Sequence, residues 1–159
     1  MLVEQLMSRP AVTINASDSL GRAAQLLWDH DFGALPVVDD DGCLVGMITD
    51  RDICMACYLR GQPPADISVD QAMARQVYAC APGDPIGVAE KLMSQYQVRR
   101  VPVADPVARV VGVFTLTDLA RLADQGGGLR RPDVTDAEVS RTLAAICQPR
   151  REQRASTVQ

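Results

Sequence analysis

The 159-residue sequence is poor in lysine, histidine and aromatic rings. Lys91 is its one lysine, His30 its one histidine, and Phe, Trp and Tyr together make up 4%. The net charge of −4 lacks the basic surplus that a nucleic-acid footprint needs. No apolar run approaches the roughly 18 residues of a membrane-spanning helix. The opening MLVEQLMSRP has neither the basic start nor the long apolar stretch of a secretory signal. The cytoplasm is therefore the expected location, with no membrane and no nucleic acid as partner. Also missing are a Ser-His-Asp set, a P-loop and a His/Cys metal cluster, so the chain reads as a non-enzyme.

Five cysteines (43, 54, 57, 80 and 147) stand at uneven spacing. An odd count without a secretion signal is not a disulfide framework. Cys54 and Cys57 form a CxxC inside DICMACYLRG, a predicted helix where i and i+3 share a face. A zinc site wants four ligands and no second pair is near. Small buried side chains are the expected role, with a redox pair as the remote alternative.

What is present is a repeat. Shifted by 66 positions, residues 3–53 align with 69–119 without a gap and 15 of the 51 pairs are identical. Composition alone would give about three or four. The identities include Met7/Met73, Asp18/Asp84, Pro36/Pro102, Gly46/Gly112, Thr49/Thr115 and Asp52/Asp118.

Each copy reads as β-α-β-β-α in a mixed α/β (α+β) class. Asp18 and Asp84 are expected to cap a helix, with Pro85 at the first helical position. Leu20, Ala23, Ala24 and Leu27 form one apolar stripe. ALPVVD (34–39) and CLVGMIT (43–49) read as strands joined by a solvated DDDG turn, and RVPVAD (100–105) and RVVGVFT (109–115) match them. Gly61 and Gly126 should stop the closing helices. A unit of about 50 residues is too small to stand alone, so two should pack sheet to sheet with pseudo-two-fold symmetry. The expected organisation is repeat one at 1–66, repeat two at 67–125 and a GGGLRRP-containing linker at 126–135. A C-terminal helix follows at 136–148, started by the capping box Thr135/Glu138 and striped by Val139, Leu143, Ile146 and Cys147. The tail, 149–159, is expected to be disordered.

The paired GMITDRDI (46–53) and GVFTLTDL (112–119) segments, each after a Pro-Val strand, resemble a tandem of cystathionine-β-synthase (CBS) domains, a Bateman module. The resemblance covers about 3–119 and implies a stand-alone regulatory CBS pair, a type found in stress responses. It implies an adenosine-containing ligand (AMP, ADP, ATP or S-adenosylmethionine) between repeats, and no other cofactor. The Asp would accept ribose hydroxyls, while Thr and the helix N-terminus would face phosphate.

By that resemblance one cleft combines Thr49, Arg51 and Asp52 with Tyr78, Val98, Arg99 and Arg100. The other combines Thr115, Thr117 and Asp118 with Val12, Phe32, Gly33 and Ala34. The first gathers three arginines, whose planar forks suit phosphate, and is the better nucleotide candidate. Thr and Asp three apart also start helices everywhere, and Tyr78 also suits plain packing. The resemblance further implies a homodimer through helix faces carrying Leu26, Leu27, Trp28, Leu92 and Met93, with the 136–147 helix expected beside that interface, plus a regulated partner that the sequence does not name. The rival reading is a ligand-free CBS-pair scaffold or dimerisation protein.

Overall fold

A computed structural model describes residues 1–125 and 135–149. The expected linker, apart from Thr135, and the expected tail, apart from Pro149, lie outside the described residues. The first repeat runs β1 (Ile14–Asn15), α1 (Leu20–Asp29), β2 (Ala34–Val38), β3 (Leu44–Thr49) and α2 (Asp50–Arg60). The second runs α3 (Ile86–Tyr96), β4 (Arg100–Ala104), β5 (Val110–Thr115) and α4 (Leu116–Gln125), and α5 (Asp136–Ile146) follows.

The two hairpins are antiparallel and share one register: Ala34 faces Thr49 and Leu35 faces Ile48, as Arg100 faces Thr115 and Val101 faces Phe114. Leu35, Val37 and Ile48, like Val101, Val103 and Phe114, are fully buried, which fixes the register because a one-residue slip would turn them all outward. β1 lies parallel to β2. Its counterpart shrinks to a single bridge between Cys80 and Val103. The cause is Pro82: the matching Ala16 donates its N–H to the Val38 carbonyl, and proline has none to give.

The expected caps are displaced. α1 is capped by Ser19, whose side chain accepts from the Arg22 N–H at 3.1 Å. Asp18 turns back to accept from the Asn15 N–H at 3.2 Å, and Asp84 takes the Ala81 N–H at 2.8 Å. Both carboxylates therefore close the turn before the helix, and Pro85 is the N-cap of α3 rather than its first residue. The α1 stripe holds, with Leu20, Ala23 and Leu27 buried. α2 ends at Gly61, whose φ of 62° is the left-handed conformation glycine adopts without steric cost.

The repeats exchange their leading segments. Ile67, Val69 and Met73 pack into the first core with Leu20, Leu35 and Ile48. Val3 and Met7, at the start of the chain, pack into the second core with Met93, Val101 and Phe114. Backbone bonds fasten each segment: Met47 N–H to Ala74 O and back, both 2.9 Å, and Ser8 N–H to Val113 O at 2.9 Å with the return bond at 3.1 Å. A Cβ at Gly46 would lie 2.5 Å from the Met73 sulfur, and one at Gly112 would collide with Met7. The identical Met and Gly pairs are thus one packing solution used twice. The hairpins meet where Cys43 bridges Arg109. These are equivalent positions of the two repeats, so the pseudo-two-fold passes between them.

α5 starts at the expected Thr135/Glu138 capping box and lies on α3 and α4. Its inward face differs from the expected stripe: Thr142 and Ile146 are buried and Val139 packs beside them, while Leu143 and Cys147 are exposed. The expected dimer face is also redistributed. Leu27 and Met93 are buried in their own cores, and Leu26 and Leu92 are partly buried against them. Trp28 alone stays bare, 85% exposed, in a repeat that also exposes Tyr58 (78%) and Leu59 (73%) on α2. The covered second pair of helices and the bare first pair break the internal symmetry. The cysteines depart from expectation too: Cys80 is buried, but Cys54 is exposed and Cys57 only half-buried.

Candidate functional site

At the β3–α2 seam, Thr49 is the N-cap and Asp52 the third helical residue. Thr49 Oγ1 accepts the Asp52 N–H at 3.1 Å and donates to Asp52 Oδ2 at 2.7 Å, while the Thr49 N–H donates to the same Oδ2 at 2.9 Å. The second seam repeats this with Thr115 and Asp118 at 3.2, 2.7 and 2.8 Å. Capping and binding are therefore not exclusive. One carboxylate oxygen starts the helix, and Oδ1 carries no hydrogen bond among the described residues.

All seven residues of the first expected set line one cleft of about 610 Å³, together with Ala34, Asp50, Gln97, Ile146 and Gln148 among others. The volume suits a small-molecule ligand. Thr49, Arg51 and Asp52 come from the first repeat, and Tyr78 and Val98–Arg100 come from the second. Tyr78 is half-buried and stacks on Tyr96 with ring centroids 3.4 Å apart and planes 9° off parallel. That bracing orders the ring at the wall. Burial pushes the Arg100 guanidinium below the ordinary arginine value, with Arg99 adding to the effect and Asp50 opposing it. A crowded cationic group of this kind gains from an arriving anion.

The second set is distributed differently. Ala34 lines the first cleft. Gly33 sits against Arg100, whose Nη1 would be 3.0 Å from a Cβ there. Val12 packs on the first core, and Phe32 is exposed and stacks on His30 at 5.5 Å. Asp118 is buried and Thr117 exposed. Arg100 thus stands between the two seams and supplies charge to the first. Sequence reasoning missed Gln97, Ile146 and Gln148. Their signal was only that a C-terminal amphipathic helix must cover something. A further groove between α3 and α5, lined by Glu90, Lys91 and Arg141 among others, gathers none of the motif residues.

Compared with known proteins, the sequence matches the CBS domain over residues 3–58 and 66–124. It is 35% identical over 121 residues to the L-aspartate semialdehyde sulfurtransferase of Methanocaldococcus jannaschii, covering 76% of this chain but only 23% of that enzyme. It is 34% identical over 116 residues to hypoxic response protein 1 of Mycobacterium tuberculosis, covering 73% of this chain and 80% of that one. Among solved structures, the CBS domain pair of protein MJ0100 in complex with 5′-methylthioadenosine and S-adenosyl-L-methionine superposes with a TM-score of 0.71. It shares 34% identity and covers 79% of this chain and 97% of that one. Hypoxic Response Protein I, crystallised with two coordinated zinc ions, gives 0.70 at 33% identity, covering 76% and 98%. Among the described residues of this chain, no three His, Cys, Asp or Glu side chains form a cluster that could hold a metal ion. No helix of the described residues is long and apolar enough to cross a membrane.

Proposed function

The chain belongs to the CBS-domain family as a tandem pair of its repeats, and on that premise we propose that it is a cytoplasmic, non-enzymatic regulatory module sensing an adenosine-containing ligand. The observation that carries this reading is the gathering of Thr49, Arg51, Asp52, Tyr78, Val98, Arg99 and Arg100 on one cleft. Asp52 Oδ1 accepts from the ribose hydroxyls, Tyr78 and Val98 flank the base, and the arginines take the anionic end. Three guanidinium groups disfavour the sulfonium of S-adenosylmethionine and favour phosphate, so AMP, ADP or ATP fits this cleft better. The MJ0100 pair holds adenosine compounds, which supports the ligand class. The name of the mycobacterial relative supports a role in a stress response.

The working unit is a homodimer joined through the bare α1–α2 face around Trp28, an isologous contact. Thermal unfolding with AMP, ADP, ATP, S-adenosylmethionine and 5′-methylthioadenosine tests the ligand. At 100 times its dissociation constant a ligand adds about 2.7 kcal/mol, a shift of several degrees. A flat panel, together with a dimer's mass in light scattering, would replace this reading with a ligand-free scaffold.

A further inference from the structure

α5 is outside the internal repeat, yet it reaches the cleft. Its body rests on α3 and α4, with Thr142 and Ile146 buried and Val139 packed against the second core. Its end goes further: Ile146, and Gln148 just past the helix, stand on the cleft wall beside Gln97. Gln97 is the fastening. Its Nε2 donates to the Gln148 carbonyl at 2.7 Å and to the Ala145 carbonyl at 3.4 Å. The Gln148 carbonyl, just past the helix end, has this amide as its partner among the described residues, while the Ala145 carbonyl also accepts the Gln148 N–H at 3.3 Å. Gln97 is also the C-cap of α3, held at φ 53°, and the next residues in the chain are Val98, Arg99 and Arg100. One residue thus joins the ligand-facing segment to the end of α5.

The first repeat shows what this adds. Asp31 occupies the equivalent place, also at φ 53°, but it is exposed and offers a carboxylate, which cannot donate to a helix end. The covering helix therefore completes one cleft and has no counterpart at the other among the described residues.

We propose that α5 is a latch on the nucleotide cleft, with Gln97 as its positioning residue. A seated α5 supplies the wall the ligand meets, and a bound ligand holds α5 seated, so occupancy is reported at α5. This rests on the adenosine-ligand reading. The coupling is reciprocal: the factor by which ligand favours seating equals the factor by which seating favours ligand.

The test uses the full chain and three proteins: wild type, Gln97→Gly and Val139→Asp. Glycine keeps the left-handed backbone while deleting the amide. Val139 is on α5 but does not line the cleft, so its effect on binding reports seating rather than lost contact. Hydrogen exchange of residues 136–146 is followed with and without ADP, and separately with S-adenosylmethionine, beside calorimetric titration. Expected are slower exchange in α5 on binding and an affinity loss in both variants. For Gln97→Gly the loss is about two- to tenfold, the worth of one hydrogen bond. Binding with unchanged α5 exchange would overturn the latch and leave the nucleotide reading standing, as would wild-type affinity in Val139→Asp. Binding of neither compound would refute the nucleotide reading and the latch with it.

Discussion

Replacing Asp52 by Asn separates the two jobs of the carboxylate at the β3–α2 seam. Oδ2 is committed to Thr49, accepting from its N–H at 2.9 Å and its hydroxyl at 2.7 Å. The asparagine oxygen can take over that position, which leaves an N–H₂ group where Oδ1 stood. The cleft then loses a charged acceptor and gains a neutral donor. A hydrogen bond to a charged group contributes about 1.5–3 kcal/mol, so losing even one of two ribose contacts lowers affinity at least about tenfold. The cost to the fold is smaller. Thr49 remains the cap, and the lost carboxylate in the first helical turn is worth about 0.3–1 kcal/mol. Thr49→Ala is the reverse perturbation, deleting the cap at about 0.5–2 kcal/mol of stability. Calorimetric titration with ADP beside urea unfolding measures both quantities for both variants. Unaltered affinity in Asp52→Asn, with all of the loss appearing as stability, would refute the binding role and reduce the seam to a helix start.

Glu90, at the α3–α5 groove, has its carboxyl pushed above the usual range by burial and then by Glu138, with Arg141 opposing. A raised folded-state value gives stability that is present below the unfolded value near 4.5 and lost as pH rises through the folded one. Glu90→Gln should therefore be more stable than wild type at pH 7, the gap closing as pH falls towards 4.5; a pH-independent gap in thermal melts would contradict this. The cysteines should label in two classes. A thiol-reactive dye should reach exposed Cys54 and Cys147 in the native protein but Cys80 only after unfolding, since burial first, and then Asp84, push its thiol up to about 11. Fast native labelling of Cys80 would show that the β4 side of the second core opens.

The placement of Asp18 and Asp84 shows where local reading fails. Aspartate before an apolar stripe is a sound cap signal, yet Ser19 stands one residue later and takes the Arg22 N–H, leaving Asp18 to brace the preceding turn. Cap choice depends on the dihedral at each position, which the sequence pattern does not carry. The α5 stripe shows a different failure. Val139, Leu143, Ile146 and Cys147 share a helical face, but the packed face is Val139, Thr142 and Ile146, and Leu143 and Cys147 stay exposed. Which face is buried depends on the surface it meets.

The first set of cleft residues followed from the resemblance to a CBS pair; the sequence by itself determined the duplication at a 66-residue offset and the helix-hairpin-helix order within each copy. Those follow from side-chain periodicity and from the repetition of local motifs, both of which are one-dimensional. Only the tertiary structure decided that the leading segments change places, with Val3 and Met7 in the second core and Val69 and Met73 in the first. Only it showed that Arg100 stands between the seams against Gly33 and that α5 closes one cleft through Gln97. The physical reason is that these contacts join residues about 20 to 110 positions apart. Each core segment could satisfy its apolar side chains in either repeat by pattern alone, and the choice is made where the chain enters a particular core, with methionine sulfur seated over glycine.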